Sequence, residues 1–450
     1  MQRTLLTLIV SVVLLVAGCG SDSSLPEATG KGTIRAINAI PTSPQISFLI
    51  EERAIGSVDY QGATAPDDYD DLSYTFNFEV FYAGETTPRR FASQSLDIVA
   101  DRDYVLLLSG SLASPTITVW ESDERTFVEA DTVFAARFAH ASATLGNLDY
   151  YFADEAVTPA LGNQAATLSF GEVADAADFD GGDYVLTITT AGDPTDVLYT
   201  SATRTFVAAD SYLLTAFDGD ASDAAPVVVS AFGTLFGTSQ LPDINSPPTA
   251  QFINGSMGLG TVDIYNDEML TSRVVADHAF QGVSGQIDLV LGENTFYYTP
   301  AGDTSTVLIE TPLSAFGGLL FRFVAVGEAG EVSSIPFAPD LRSVETGAKI
   351  SLYNSSINFS SVDVYAVEPG TDIDATLPIF NGLTAGFAVP PGTLPAGSFE
   401  LFVTENGETT VLAGPYTIDG TAGDVIDLIV LDTVDPAVLD VLFLSGGPGT

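Results

Sequence analysis

The feature that most constrains the fold of this chain is an internal repeat, because one pattern of strand-like segments occurs four times. Each copy opens with a short apolar segment that closes on an Asn or a His. The four closing residues are Asn38, His140, Asn254 and Asn354. Nine residues later, near the start of a second strand, stand Ser47, Asp149, Asp263 and Asp363. A spacing kept in all four copies predicts four modules of one fold.

The spacing of the copies gives the size of a module. The closing residues lie 102, 114 and 100 residues apart, so that a module of about 90 to 105 residues is expected, which is a usual domain size. A chain of 450 residues is also too long for a single hydrophobic core. Several domains in tandem are therefore expected.

Hydrophobic periodicity within the modules is that of β-strands. Tyr74, Phe76 and Phe78 alternate with polar residues, which is typical of half-buried strands. Later strands, such as residues 104–108 and 425–431, are apolar on both faces and suit the middle of a sandwich or an interface between modules. No helix of ten residues is expected. Six or seven short strands per hundred residues predict an all-β chain of four tandem antiparallel β-sandwich modules, immunoglobulin-like or transthyretin-like.

Domain boundaries are placed where the strand pattern lapses. The predicted segments are a signal peptide at 1–18, a lipidated flexible tether at 19–32, and sandwich modules at 33–128, 132–234, 249–338 and 347–445. The segments between modules, at 121–131, 236–248 and 336–346, are charged or carry prolines. Proline-bearing linkers are semi-rigid, so these segments predict a beaded rod.

The order of motifs in the second copy resembles a bacterial extracytoplasmic family called domain of unknown function 4397. The motifs are His140-Ala141-Ser142, Leu148-Asp149-Tyr150-Tyr151, Phe170-Gly171-Glu172-Val173 and Gly182-Asp183-Tyr184. The family usually has proline after the serine, where this chain has Ala143. Copies three and four replace the His with Asn, and copy one, which has Ser47 in place of the Asp, is the most diverged. The resemblance covers most of 33–432 and implies repeated β-sandwiches on secreted or surface proteins, with no known activity.

The N-terminus resembles a bacterial lipoprotein signal. A short positive start precedes an apolar run of about 12 residues, which is too short to span a bilayer, and small residues then lead to Cys19, the only cysteine. The resemblance implies cleavage before Cys19 and lipid on its sulfur, with acyl chains such as palmitate as the membrane tether. Since Gly20 rather than aspartate follows, the outer membrane is the expected address. The alternative is an ordinary secretory signal with an incidental thiol.

Charge restricts the partners of this chain. With 59 acidic and 14 basic residues, the formal charge is −45, and no basic patch for phosphates is found, so that nucleic-acid binding is excluded. The favoured interpretation of this acidity is a well-solvated surface suited to salty water. Calcium ligation by 178–183 and 218–220 is the alternative to solvated turns.

No catalytic constellation stands out in the sequence. Serine-hydrolase elbows, Cys/His zinc spacings and phosphate-binding glycine loops do not occur, and the two histidines, His140 and His278, lie in different modules. The repeated polar residues are interpreted as a structural motif. Its members are His140, Asp149, Asn254, Asp263, Asn354 and Asp363.

These observations predict a membrane-anchored lipoprotein with a non-catalytic binding, adhesion or structural role in the cell envelope. No cofactor and no metal are expected. The expected partners are the membrane, through the N-terminal lipid, and an envelope or extracellular protein or glycan. The alternative from another class is an enzyme acting on envelope polysaccharide, or its accessory carbohydrate-binding protein. Glycoside cleavage needs two carboxylates close together, and which of the 59 acids lie together depends on the fold.

Overall fold

The computed structural model of the protein describes residues 27–128, 130–155, 158–219, 225–235, 237–327 and 330–445. Strands dominate these residues, and the helices among them are two 3-10 turns, Met257–Leu259 and Ile373–Ala375. Within the described ranges, no helix has the length and apolar character needed to cross a bilayer. The predicted signal peptide and Cys19 lie outside the described residues.

The first module consists of eight strands in two sheets. Its strands are β1 (Lys31–Asn38), β2 (Ile46–Ile50), β3 (Arg53–Val58), β4 (Asp67–Asp70), β5 (Ser73–Val80), β6 (Arg89–Asp97), β7 (Arg102–Gly110) and β8 (Pro115–Asp123). One sheet has the order β4-β1-β7-β8 and the other β3-β2-β5-β6. The chain therefore crosses repeatedly between the two layers of the sandwich.

The second module follows the same plan with its sixth strand divided and one strand added. Its strands are β9 (Val133–His140), β10 (Leu148–Ala153), β11 (Ala166–Leu168), β12 (Ala177–Asp180), β13 (Gly182–Thr190), β14 (Val197–Thr200), β15 (Arg204–Phe206), β16 (Ser211–Asp218), β17 (Val227–Gly233) and β18 (Thr238–Leu241). The sheets have the orders β12-β9-β16-β17-β18 and β11-β10-β13-β14, with β15 also on β13. The added strand β18 lies in the predicted linker 236–248.

The third and fourth modules repeat the order of the first. The strands of the third are β19 (Thr249–Asn254), β20 (Val262–Tyr265), β21 (Arg273–His278), β22 (Ile287–Asp288), β23 (Gly292–Pro300), β24 (Ile309–Ala315), β25 (Leu320–Val326) and β26 (Ser333–Phe337). Those of the fourth are β27 (Gly347–Asn354), β28 (Ser361–Val367), β29 (Phe380–Thr384), β30 (Gly392–Pro395), β31 (Gly397–Glu405), β32 (Val411–Gly420), β33 (Val425–Asp432) and β34 (Leu439–Ser445). In both, one sheet joins strands 4-1-7-8 of the module and the other joins 3-2-5-6.

The prediction of tandem β-sandwiches is confirmed, but the pairing is not wholly antiparallel. In every module the first and seventh strands run parallel, as β1 and β7 do from Thr33 beside Asp103 to Asn38 beside Leu108. The intervening strands cross between the sheets, and such a crossover lets the seventh strand enter from the same end as the first. This strand order differs from the ABED and CFG sheets of an immunoglobulin constant domain, so the immunoglobulin-like alternative does not fit.

The modules pack in pairs, face to face. In β7, Leu106 and Leu108 point into the core of the first module, whereas Leu107 packs on the second module. That shared cluster also contains Trp120 and, from the second module, Leu213. An equivalent cluster joins the third and fourth modules through β25 and β33. The expectation of a beaded rod is wrong at these two junctions, because strands that are apolar on both faces bury their outer faces against the next module.

The last predicted linker, residues 336–346, contacts module 1. Arg342 donates to the carbonyl of Pro41 at 3.1 Å and lies over the ring of Tyr60, and its partner Asp340 also binds Lys349 at 2.7 Å. Module 1 and module 4 touch directly, where the Ala83 amide donates to the carbonyl of Thr393 at 2.7 Å. Residues 336–346 therefore connect the two pairs through defined contacts.

Candidate functional site

The Asn residues that end the first strands hold the following loop. The Asn254 side chain donates to the carbonyl of Gly260 at 2.9 Å and accepts from the amide of Ser256 at 3.2 Å. Asn354 accepts from the amide of Ser356 at 3.0 Å and donates to the carbonyl of Leu383, also at 3.0 Å. Both side chains are buried. Their polar atoms are thus engaged with backbone groups that burial would otherwise leave unpaired.

His140 occupies the same position in the second module and makes equivalent bonds. Its Nδ1 accepts from the amide of Ser142 at 3.3 Å, and its Nε2 lies 2.8 Å from the carbonyl of Gly146. Acceptance at Nδ1 and donation at Nε2 define the neutral tautomer with hydrogen on Nε2. Burial lowers the pKa of this imidazole, which favours the same neutral form.

The aspartates of the second strands join two turns to the sheet. Asp363 accepts from the amides of Gly382 at 2.6 Å and Gly407 at 2.8 Å. Asp263 accepts from the amide of Gly302 at 3.1 Å, and Asp149 from that of Gly192 at 2.8 Å. These three turn glycines, 192, 302 and 407, have φ values of 75–80°, a conformation that favours glycine.

Asp263 and Asp149 accept further hydrogen bonds besides those from the turn glycines. Asp263 also accepts from the amide of Asp277 at 2.9 Å and pairs with Arg273 at 3.0 Å. Burial alone would raise the pKa of Asp263, but these donors outweigh it and the pKa is lowered. Asp149 accepts from the hydroxyl of Thr167 at 2.5 Å. Each carboxylate therefore accepts hydrogen bonds near the start of a second strand.

Two further aspartates, which the sequence did not single out as structural, hold the loop after the first strand. Asp218 accepts from the hydroxyls of Ser142 and Thr144 and from the amide of Ala143 at 2.9 Å. Asp432 accepts from the hydroxyl of Ser356 at 2.6 Å. Asp218 was a candidate calcium ligand, but its oxygens already take loop donors.

Two other calcium candidates, Asp178 and Asp183, have protein partners as well. Asp178 pairs with Arg125 at 2.8 Å, and Asp183 accepts from the hydroxyl of Thr205 at 2.5 Å. Among the described residues, no group of three His, Cys, Asp or Glu side chains has the arrangement of a metal site. Asp220 falls outside the described residues.

A cavity of about 100 Å³ lies between the first and second modules. Its walls come from β1, β7 and β8 of module 1, from the segment that follows β8, and from β9, β16 and β17 of module 2. The charged lining residues are Arg35, Arg125, Arg137, Asp103 and Asp123, and Ser122 and Thr234 contribute hydroxyls. We call this cavity the module 1–2 cleft.

Two arginines on facing strands, Arg35 and Arg137, line this cleft. Arg35 of β1 is 7% exposed and donates to the carbonyl of Gly233 at 2.8 Å. Arg137 of β9 donates to the carbonyl of Ala174 at 3.0 Å and to the hydroxyl of Ser122 at 2.9 Å. Burial lowers the pKa of both guanidinium groups, that of Arg35 to about 10, so both remain charged at neutral pH.

Asp103 of β7 is an acid that acts on both arginines. Burial, with a smaller contribution from Glu124, raises the pKa of its carboxyl to about 6, against the opposite effect of Arg137 and Arg35. Other acids also act on the two arginines, Asp210 on Arg35 and Asp175 on Arg137, and Asp123 lies on the cleft lining. Arg125 stands at the edge of the cleft and is occupied by Asp178.

The interface between modules 3 and 4 places its buried arginine in contact with a carboxylate. Arg322 of β25 is buried and forms an ion pair with Asp427 of β33, on the facing module. It also donates to Gln251 at 3.0 Å, and Gln251 occupies the position in its module that Arg35 has in the first. One pair of modules therefore buries an arginine in direct contact with a carboxylate, whereas the other holds a buried Arg35 and a half-buried Arg137 that donate to neutral acceptors.

Sequence reasoning missed this cleft, although a signal was present. Arg35 and Arg137 each stand three residues before the closing residue of their copy, where copies three and four have Gln251 and Ser351. A charged residue inside an apolar strand segment needs a partner or a function. That the two positions face each other follows only from the packing of the modules.

Comparison with known proteins supports the family resemblance over part of the chain. The profile of the family described as "Domain of unknown function (DUF4397)" matches residues 32–151, which is module 1 with β9 and β10 of module 2. This range is narrower than the expected 33–432. No curated protein matches the chain.

Among solved structures, the chain is similar to one titled "The Bacillus anthracis TIE protein". The identity is 10%, the match covers 90% of this chain and 69% of that one, and the TM-score is 0.16. A TM-score of this size carries no argument about fold or function.

Proposed function

We propose that this chain is a lipid-anchored protein of the bacterial cell envelope with a non-catalytic role in binding, adhesion or structure. The observation that carries the proposal is the use of the repeated polar residues. Asp149, Asp263 and Asp363 each tie turns to a sheet with short hydrogen bonds to backbone amides. Carboxylates bound in this way stabilise a scaffold, since buried donors need acceptors.

The packing of modules in pairs supports the same role. Sandwiches that share buried faces present a surface of constant shape, and concave sites then arise between modules, as the module 1–2 cleft does. Such sites at domain interfaces are common places for ligands. The proposed partners are the membrane, through lipid on Cys19, and a protein or glycan of the envelope.

The anchor is tested by Cys19→Ser in the native host, followed by fractionation. The substitution removes the atom that would carry the lipid, so the protein should leave the outer-membrane fraction. Ser21→Ala, two residues away, serves as the matched control and should stay with the membrane. A Cys19→Ser protein that still sediments with membranes after a high-salt wash would contradict the lipid anchor.

The non-catalytic role is tested on the purified mature chain with polysaccharide, ester and peptide substrates. No hydrolysis is expected. An activity that copurifies with the chain and disappears on replacement of one Asp or Glu by its amide would establish the enzyme instead. This outcome would leave the anchor unaffected, so the two parts of the proposal are separately testable.

A further inference from the structure

We propose that the module 1–2 cleft binds a small oxyanion, the carboxylate, phosphate or sulfate group of a ligand, between Arg35 and Arg137. The inference rests on the binding role proposed above and names its ligand class. It starts from a contrast between two interfaces of one design. The buried arginine between modules 3 and 4 forms an ion pair with Asp427. In the cleft, Arg35 and Arg137 donate instead to backbone carbonyls and the Ser122 hydroxyl, although Asp103, Asp210 and Asp175 lie near enough to act on their charges.

The donors of these arginines are not exhausted by the protein. A guanidinium carries five N–H donors. Within the described residues, Arg35 uses one of its terminal nitrogens on the Gly233 carbonyl, and Arg137 uses two of its nitrogens on neutral acceptors. Donors that remain on each side match the paired oxygens of a carboxylate or phosphate, which arginine binds in a planar, two-pronged fashion.

The cleft has room for such a group. Its volume of about 100 Å³ exceeds the space of a single water molecule and accommodates an anion of a few heavy atoms. Hydroxyls of Ser122 and Thr234 lie on its wall and are further donors. Apolar side chains such as Leu213 and Phe232 also line it, which lowers the local dielectric and strengthens a charge pair.

The overall negative charge of the chain opposes the binding of most anions. At −45 the protein repels anions in general, and the acids near the cleft also oppose an anion, so binding depends on direct contact with N–H donors of Arg35 and Arg137. Asp103 opposes binding when ionised, and Arg125 at the edge is already paired with Asp178. The residues that carry the proposal are therefore Arg35 and Arg137.

The test is calorimetric titration of the full mature chain with sulfate, phosphate and acetate, each at an ionic strength matched with sodium chloride. Saturable binding of at least one of these anions is expected. Arg137→Gln should weaken it about tenfold, the usual scale for loss of a charge-assisted hydrogen bond. Asp103→Asn should tighten it, because the opposing carboxylate is removed. Arg89→Gln changes an exposed arginine of the same module and should leave the affinity unchanged.

Three results would overturn the proposal: no saturable heat with any anion, equal affinity in Arg137→Gln and the unmodified chain, or weaker binding in Asp103→Asn. If Arg137→Gln does not fold, the Asp103→Asn arm still decides, because it adds no buried charge. Preference for sulfate and phosphate over acetate would identify a tetrahedral ligand group, and the reverse a carboxylate. Failure here leaves the hydrolysis test untouched, so it is distinguishable from failure of the non-catalytic role.

Discussion

The buried ion pair between modules 3 and 4 gives a sharp prediction about how the pair is held together. Arg322 and Asp427 have side chains 7% and 4% exposed, so neither charge is solvated if its partner is removed. Breaking such a pair from one side typically costs about 3–5 kcal/mol, because the remaining charge is buried without a counterion. Asp427→Leu and Arg322→Met should each lower the free energy of unfolding by about that amount.

This loss in the free energy of unfolding predicts a lower melting temperature. Modules 3 and 4 span about 200 residues. For a cooperative unit of that size, about 3–5 kcal/mol corresponds to a fall of roughly 6–20 °C. The double variant should recover most of the loss, because an apolar pair of similar volume is often neutral or stabilising in such a site.

The assay is a double-mutant cycle by denaturant unfolding, with Arg89 and Glu85 as the exposed control pair. The coupling energy of the control should be about 0–1 kcal/mol. Losses in the single Arg322 and Asp427 variants that are as small as the control, or that simply add in the double variant, would refute a buried pair that joins the two modules.

Two further predictions concern the second-strand aspartates and the cleft. Asp363→Ala removes the acceptor of two backbone amides and should lower the free energy of unfolding by about 2–6 kcal/mol, since each buried unpaired donor costs about 1–3. The control is Asp419→Ala, which changes an exposed acid of the same module and should alter the free energy of unfolding by no more than about 0.5 kcal/mol in chemical denaturation. Equal losses in Asp363→Ala and Asp419→Ala would exclude a stabilising role of the Asp363 carboxylate. Sulfate affinity should rise as the pH falls through about 6, because the Asp103 carboxyl is then neutralised, while Arg35 and Arg137 stay charged. Titrations along a pH series should show this rise in the unmodified chain and not in Asp103→Asn, and a rise that persists in the variant would assign the proton elsewhere.

Much of the fold was predictable because the repeat carries local information four times over. Alternating residues such as Phe76 and Phe78 marked strands whose one face is buried, and turn glycines such as Gly302 and Gly407 stood where a positive φ is needed. Parallel pairing of the first and seventh strands was not predictable in this way. It depends on the number of crossings between the sheets, and spacing along the chain does not record that number.

The pairing of modules and the cleft were harder to predict for a related reason. The run from Tyr104 to Leu108 showed that both faces of β7 are buried, but not which module covers the outer face. Arg35 and Arg137 are about a hundred residues apart and come together only when β1 and β9 face each other. The role of Asp218 could not be predicted for the same reason, because the residues that donate to it, 142–144, lie in a loop that precedes it by more than seventy residues.

Fluorescence of Trp120 tests the face-to-face packing of modules 1 and 2 most directly. It is the single tryptophan of the chain, it is 4% exposed, and its indole N–H donates to the carbonyl of Gly171 in module 2 at 2.8 Å. Packed modules predict a blue-shifted emission that acrylamide quenches weakly, and a red shift with stronger quenching in Phe217→Ser, which disturbs the shared cluster from the module 2 side. Emission of the unmodified chain at the position of a solvated indole, with quenching as strong as that of the free amino acid, would contradict the packing.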